Sequence, residues 1–172
     1  MSLVFEPLGA QHERQSFTCG VPALDRWFHA QAGQDDRRGV ARTFVALDDQ
    51  GIVGFYTMGM FAVALADLPP AMVKKLPKYP EVPATLIGRL ARATRVRGQG
   101  VGELLIADAL TRILAAGLSI ATFAIVVDAK DADAAAFYRR LGFIPFPTRP
   151  ARLFLPTATA TAALASSEKL EK

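Results

Sequence analysis

Apolar residues recur along this chain with two different periods, and the switches between the periods mark its elements. Leu3 to Phe5 reads as a short first strand. After a polar stretch, Leu24, Trp27 and Phe28 fall at helical spacing, with Ser16 or Thr18 as candidate caps and Pro22 suited to an early helical turn. Gly33 to Gly39 is a polar, glycine-marked segment. Thr43 to Leu47 is rich in β-formers, Asp48 to Gly51 has turn chemistry, and Ile52 to Phe61 is β-rich again, so a hairpin is predicted. Asp67 to Pro83 carries Pro69, Pro70, Pro77, Pro80 and Pro83, which forbid a regular ladder. The expectation there is a long surface connection with a short helix around Met72, and long ordered connections often lie over functional sites.

The second half changes character. Thr85 to Val96 reads as a strand, Arg97 to Gly102 as a turn, and Val101, Leu104, Leu105, Ile106, Leu110, Ile113 and Leu114 as the apolar face of a helix that ends at Gly117. Ile120 to Val127 is a buried strand, Asp131 or Asp133 can cap a helix through Leu141, Gly142 stops it, and Phe143 begins a closing strand. A hairpin-bearing half followed by strand-helix-strand-helix predicts an α+β fold with a mixed central sheet flanked by helices, not an all-parallel doubly wound sheet. A single domain over residues 1–156 is expected. Residues 157–172 are Ala/Thr-rich and then polar, and read as a frayed, flexible C-terminal tail.

Composition narrows the class. The 172 residues are 51% hydrophobic and 21% charged, which is globular rather than disordered. No apolar run is long enough for a membrane span and the first ten residues lack a signal-peptide core, so the expected compartment is the cytoplasm, with no membrane partner. Cys19 stands alone, with only His12 and His29 beside it, so neither a disulfide framework nor a metal site is expected. Cys19 reads as a small buried hydrophobe, and Trp27 and Phe28 as core. The net charge of +4 favours polyanionic partners, and its placement says more than its size. The cations gather as Arg37, Arg38 and Arg42, as Lys74, Lys75 and Lys78, and as Arg89, Arg92, Arg95 and Arg97. The last group borders a glycine loop.

That loop, Arg97-Gly98-Gln99-Gly100-Val101-Gly102, is where chemistry becomes legible. Alternating glycines let backbone approach a ligand closely, and a loop opening into a helix offers unpaired N–H groups and the positive dipole end to an anion. Arg97 adds charge-assisted hydrogen bonds to a phosphate. The spacing matches neither the Rossmann fingerprint nor a P-loop. Arg-x-x-Gly-x-Gly between a strand and a Leu-rich helix resembles the pyrophosphate-binding motif of the Gcn5-related N-acetyltransferases (GNAT). Ala134-Ala135-Ala136-Phe137-Tyr138-Arg139-Arg140-Leu141-Gly142-Phe143 resembles their second signature. The resemblance implies acetyl-CoA with its pyrophosphate on the loop amides of Arg97, Gly98, Gln99, Gly100, Val101 and Gly102. Its pantetheine arm would run beside Leu90, Ala91 and Arg92, and its thioester would sit where two parallel strands splay.

A narrower resemblance covers roughly Phe5 to Pro156. Phe17-Thr18-Cys19-Gly20, Leu24 to Phe28, Arg42-Thr43-Phe44-Val45, Leu76-Pro77-Lys78-Tyr79-Pro80, Ile87-Gly88-Arg89-Leu90-Ala91 and Val127-Asp128-Ala129-Lys130 are similar to acetyltransferase toxins paired with ribbon-helix-helix antitoxins. It implies acetylation of the α-amino group of aminoacyl-tRNA, a translation block, an antitoxin partner and a homodimer. Arg92 and Ala93 depart from the family's usual Val and Asp, and Asp131 from the Asn common in the superfamily.

Acetyl transfer needs a neutral amine, oxyanion stabilisation and a proton for the departing thiolate. An α-amino group with pKa near 7.7–8.0 is roughly a tenth neutral or more at physiological pH, so a dedicated base is optional. Tyr138 is the candidate acid, with Ala134, Phe137 and Leu141 expected to face the core while Tyr138 turns to the cofactor. The fold implies an oxyanion donor among the backbone N–H groups near Leu90 or Ala91. Arg89 either lines the acceptor site or closes a salt bridge, and Lys74, Lys75 and Lys78 are candidate RNA contacts. Two other functions compete: a GNAT acting on small amines or peptides, and an inactive GNAT-fold binding protein.

Overall fold

The computed structural model describes residues 2–170. The chain runs β1 (Val4–Pro7), α1 (Pro22–Ala30), α2 (Ala32–Arg37), β2 (Arg42–Asp48), β3 (Gly51–Ala64), α3 (Pro70–Val73), β4 (Glu81–Arg92), α4 (Val101–Ala116), β5 (Ala124–Asp128), α5 (Ala132–Arg140), β6 (Ile144–Phe146), β7 (Arg149–Pro156) and α6 (Thr157–Leu170). Single 3₁₀ turns lie at Leu65–Asp67 and Thr94–Val96. The strands form one mixed seven-stranded sheet in the order β1-β2-β3-β4-β5-β7-β6, mostly antiparallel with one parallel pair and flanked by helices. This is the α+β architecture the element order predicts.

The chain packs as two compact units, each assembled from separate stretches of sequence. The first comprises residues up to Gly59 together with Ile87–Thr111. Its β2–β3 hairpin is antiparallel, with Arg42 opposite Met58 and Asp48 opposite Gly51, and a bulge between Ala46 and Leu47. Asp48 shapes the turn by accepting the Gln50 N–H at 2.9 Å, and Gly51 supplies a φ of +119°. Phe28 stacks on Phe55 with ring centroids 4.1 Å apart, and Phe17 meets both rings edge-on. Trp27 and Phe28 are therefore core, as their spacing predicts. Gly54 admits α4 to this sheet: a Cβ there would stand 2.9 Å from both the Ala91 carbonyl oxygen and Leu105 Cδ1. The Tyr56 hydroxyl, on the same strand, donates to Asp108 on α4 at 2.6 Å.

The second unit comprises Met60–Leu86 and the chain from Arg112 onward. Its core gathers Val63, Leu65, Leu68, Val82, Phe146 and Phe154 among others, with Met72, Val73 and Leu76 packed against them. β7 pairs antiparallel with both β5 and β6.

Several expectations are corrected. The polar segment Gly33 to Gly39, where the sequence predicts no element, lies largely in α2 (Ala32–Arg37). There Ala32 is fully buried and Asp35 accepts the Trp27 Nε1–H at 3.0 Å, so tertiary contacts override a glycine's weak helix propensity. Neither Ser16 nor Thr18 caps α1. Its N-cap is Val21, and Asp25 reaches back to accept the Thr18 hydroxyl and the Cys19 N–H instead. Cys19 is half-buried rather than buried. β4 starts earlier than Thr85, at Glu81, and accommodates Pro83, which needs no N–H partner and whose carbonyl accepts from Phe123 N–H at 2.8 Å. β5 begins at Ala124, after an exposed Ile120. The single closing strand after Phe143 is a hairpin of two, and the expected tail is helix α6. Alanine is the strongest helix former. The Thr157 hydroxyl anchors the first turn on the Thr122 carbonyl at 2.6 Å, and Ala160 is buried.

Candidate active site

In the first unit β4 delivers Arg89, Leu90, Ala91 and Arg92 in sequence, and Ala93 then leaves the strand. The Ala93 N–H donates to Val53 O at 2.7 Å and the Thr94 N–H to Thr18 O at 2.9 Å, which fix the exit. The 3₁₀ turn follows, closed by Val96 N–H to Ala93 O and Arg97 N–H to Thr94 O, both at 3.2 Å. Arg95 in this turn holds the β2–β3 turn, donating to the two Asp48 carboxylate oxygens at 2.7 Å each. These bonds keep the Asp48 carboxyl at about 2, far below the ordinary carboxylate range. Arg95 is thereby committed to the fold, and so is Arg42, paired with Asp36 at 3.0 Å.

Gly98 and Gly100 have φ of +76° and +78°, a region that side-chain-bearing residues rarely adopt. Leu104 N–H donates to Gly100 O at 3.2 Å, so Gly100 is the turn into α4 and the N–H groups just after it have no partner within the helix. A Cβ at Gly98 would meet nothing within 4 Å, and one at Gly100 only Glu103 Oε2 at 4.0 Å, so the space beside these two glycines is open. Arg97 and Gln99 are exposed, and Arg92 half-buried. Among the described residues none of these three makes a side-chain hydrogen bond or ion pair. Open left-handed glycines, a helix N-terminus and a free guanidinium fit a pyrophosphate.

Arg89 is more constrained than its sequence context suggests. Its backbone N–H donates to the buried Thr57 Oγ1 at 3.0 Å, and its guanidinium lies 4.1 Å from the Trp27 ring centroid. That cation–π contact orients the guanidinium without consuming its donors.

Tyr138 belongs to the second unit. Its helix α5 is capped as predicted by Asp131, whose carboxylate accepts the Ala134 N–H at 2.8 Å. Gly142, with φ of +96°, follows the helix end. The buried face differs from expectation: Ala135 and Tyr138 are the buried residues of α5, and Ala134, Phe137 and Leu141 are only half-buried. Tyr138 is 7% exposed and packs on Phe143 and Phe137. Burial, with the Asp128 charge adding to it, pushes the phenol up to about 12. Among the described residues the Tyr138 hydroxyl has no hydrogen-bond partner.

Sequence reasoning missed Arg152. It donates to both Asp128 oxygens at 2.8 and 2.9 Å and covers the Phe61 ring at 4.8 Å. The pair lies across the β5–β7 register, and the Arg152 bonds hold the Asp128 carboxyl below its ordinary range. Beside it opens a cleft of about 330 Å³ lined by Phe61, Val63, Asp67, Phe146, Arg149 and Arg152. No motif pointed to it because its walls come from β3, the Leu65–Asp67 turn and the unrecognised β6–β7 hairpin. Lys74, Lys75 and Lys78 are exposed on the connection between α3 and β4, in the same unit. Among the described residues no group of three His, Cys, Asp or Glu could hold a metal, and no helix is long and apolar enough to cross a membrane.

A strand leading through left-handed glycines into α4, within this strand order, defines a class. The chain belongs to the GNAT acetyltransferases, whose domain profile, Acetyltransferase (GNAT) domain, matches residues 39–145. Within that class it is similar to the Probable toxin TacT of Sinorhizobium fredii, 32% identical over 91% of this chain and 92% of the relative. It is 37% identical to the tRNA-acetylating toxin of Mycobacterium tuberculosis over 81% and 83% of the two chains. Among solved structures, AtaT complexed with acetyl-methionyl-tRNAfMet superposes with a TM-score of 0.88 at 29% identity, covering 95% of this chain and 99% of that one. A mutant AtaT toxin bound to the C-terminus of the antitoxin AtaR and acetyl-CoA matches with a TM-score of 0.80 at 25% identity, over 94% and 98%.

Proposed function

We propose that this chain is a translation-blocking toxin that transfers acetyl from acetyl-CoA to the α-amino group of aminoacyl-tRNA, and that an antitoxin of the ribbon-helix-helix kind restrains it. The observation that carries the reading is near-complete superposition on AtaT, whose structure holds an acetylated aminoacyl-tRNA. The reading places it in the cytoplasm as a homodimer.

Each chemical demand has a candidate residue. The amides of Gly98 to Gly102 and the Arg97 guanidinium hold the pyrophosphate, and Leu90 to Arg92 line the pantetheine arm. A backbone N–H near Leu90 or Ala91 meets the developing oxyanion. The neutral amine attacks the thioester carbon, the C–S bond breaks, the thiolate takes the Tyr138 proton, and the amine's surplus proton leaves to water, from which the tyrosinate is reprotonated. A buried phenol at about 12 stays protonated throughout the physiological range, and its hydroxyl makes no competing hydrogen bond within the described chain.

The test is mass spectrometry of total aminoacyl-tRNA after incubation with the protein and labelled acetyl-CoA. Label on the α-amino group of one or more charged tRNAs is the expected result. Label appearing only on free amines or peptides would return the chain to the general acetyltransferases.

A further inference from the structure

The connection between α3 and β4 carries a feature that neither fold nor acetyl transfer requires. Tyr79 is 66% exposed, although an aromatic ring gains from burial. Its backbone is nonetheless held firmly. Pro77 and Pro80 restrict φ on either side, the Tyr79 N–H donates to Pro77 O at 2.9 Å, and Leu65 N–H donates to Pro80 O at 3.1 Å. Beneath, Met72, Val73 and Leu76 pack against the core of the second unit. The ring is thus presented on a braced backbone, so little backbone conformational entropy remains to be lost on contact.

The surroundings select the occupant. Lys74, Lys75 and Lys78 are all exposed on the same segment, and no acidic residue lies between Leu68 and Pro80. Among the described residues these lysines form no ion pair. An apolar protein surface laid over the ring would desolvate three unpaired ammonium groups, which is costly. A polyanion with exposed π-faces meets both needs, supplying phosphates for the lysines and a flat ring for the tyrosine. Duplex RNA keeps its base faces inside the stack, so the fit is to an unpaired strand.

We propose that Tyr79 is a stacking platform for an unpaired nucleobase of the substrate RNA, with Lys74, Lys75 and Lys78 as its phosphate contacts. The proposal rests on the aminoacyl-tRNA reading, because an amino acid esterified to tRNA arrives at the end of a single strand.

The experiment compares the full-length parent with Tyr79→Ala, Tyr79→Phe and Tyr79→Leu. Steady-state kinetics use total charged tRNA and, separately, methionine methyl ester as a nucleotide-free acceptor. Fluorescence anisotropy uses a short labelled single-stranded oligoribonucleotide and the same sequence closed into a hairpin duplex. Loss of one base stack is worth on the order of tenfold, so the ratio of KM for charged tRNA to KM for the ester should rise about tenfold in Tyr79→Ala and Tyr79→Leu. Tyr79→Phe should keep the parent ratio, and the single strand should lose affinity more than the duplex. Variants equal to the parent in both assays, or Leu replacing Tyr without loss, would overturn the platform while leaving the tRNA reading intact. Acetylation of the ester but never of charged tRNA, with single-strand binding still dependent on Tyr79, would overturn the tRNA reading instead. Tyr79-dependent sedimentation with phosphatidylserine vesicles, without any effect on RNA, would make the segment a membrane contact and sink the proposal.

Discussion

At the scale of single residues, two side chains with displaced ionisation lead to measurable consequences. The Tyr138 phenol at about 12 is a proton donor at every pH an acetylation assay can use. Tyr138→Phe should therefore lower kcat by roughly 10²-fold or more across that whole range, with acetyl-CoA affinity unchanged, since the phenyl ring keeps its packing on Phe137 and Phe143. Turnover at the parent rate, with chemistry shown to limit, would remove the acid role. The candidacy of Tyr138 was visible in its signature, but its burial was not, because a one-residue choice of helix face decides it and Ala135 proved the inward neighbour. Asp48 carries the second displacement. Its folded-state value of about 2 lies below the ordinary 3.9 or so, so its bond to Arg95 stabilises the fold fully above that ordinary value and is lost as pH falls towards 2. The Tm gap between the parent and Asp48→Asn should be constant above about pH 5 and should close in acid. A gap that widened as pH fell would contradict the pairing.

At the scale of elements, legibility followed locality. The hairpin, the glycine loop and the Asp131 cap rest on interactions between residues close in sequence, and each was readable from residue type and spacing. Helix α2, the β6–β7 hairpin and α6 rest on partners outside their own segments, such as Trp27 Nε1 on Asp35 and Thr157 on the Thr122 carbonyl. A segment read by itself does not contain those partners. Arg152 escaped notice for the same reason, since Asp128 meets it only across the β5–β7 register. Two elements are open to direct test. Asp131→Ala should destabilise the protein by about 0.5–2 kcal/mol in urea unfolding, the usual cost of an N-cap carboxylate. Gly100→Asp forces a side chain into φ +78° and sets a negative charge where phosphate is expected. Calorimetry should then detect no acetyl-CoA binding by a variant whose circular dichroism matches the parent. Undiminished binding would move the cofactor site elsewhere.

At the scale of the whole molecule, charge is less available than its sum suggests. Arg42 and Arg95 are spent on Asp36 and Asp48, whereas Lys74, Lys75, Lys78, Arg92 and Arg97 stay unpaired among the described residues. Phosphate contacts release counterions, so acetylation of charged tRNA at subsaturating concentration should fall steeply with salt. Replacing Lys74, Lys75 and Lys78 together with Ala should lower that activity and flatten the salt slope, with acetyl-CoA affinity retained. A salt-independent parent would speak against an RNA-borne acceptor at these lysines. One property of the sheet bears on when such an enzyme first becomes dangerous. The last of the described strands, β7, lies between β5 and β6, and β6 has no other neighbour in the sheet order. While Arg149–Pro156 is still inside the exit tunnel of the ribosome, β6 has nothing to pair with and β5 lacks one of its neighbours. A chain proposed to silence protein synthesis is in this way left unfinished until that strand is free to pair.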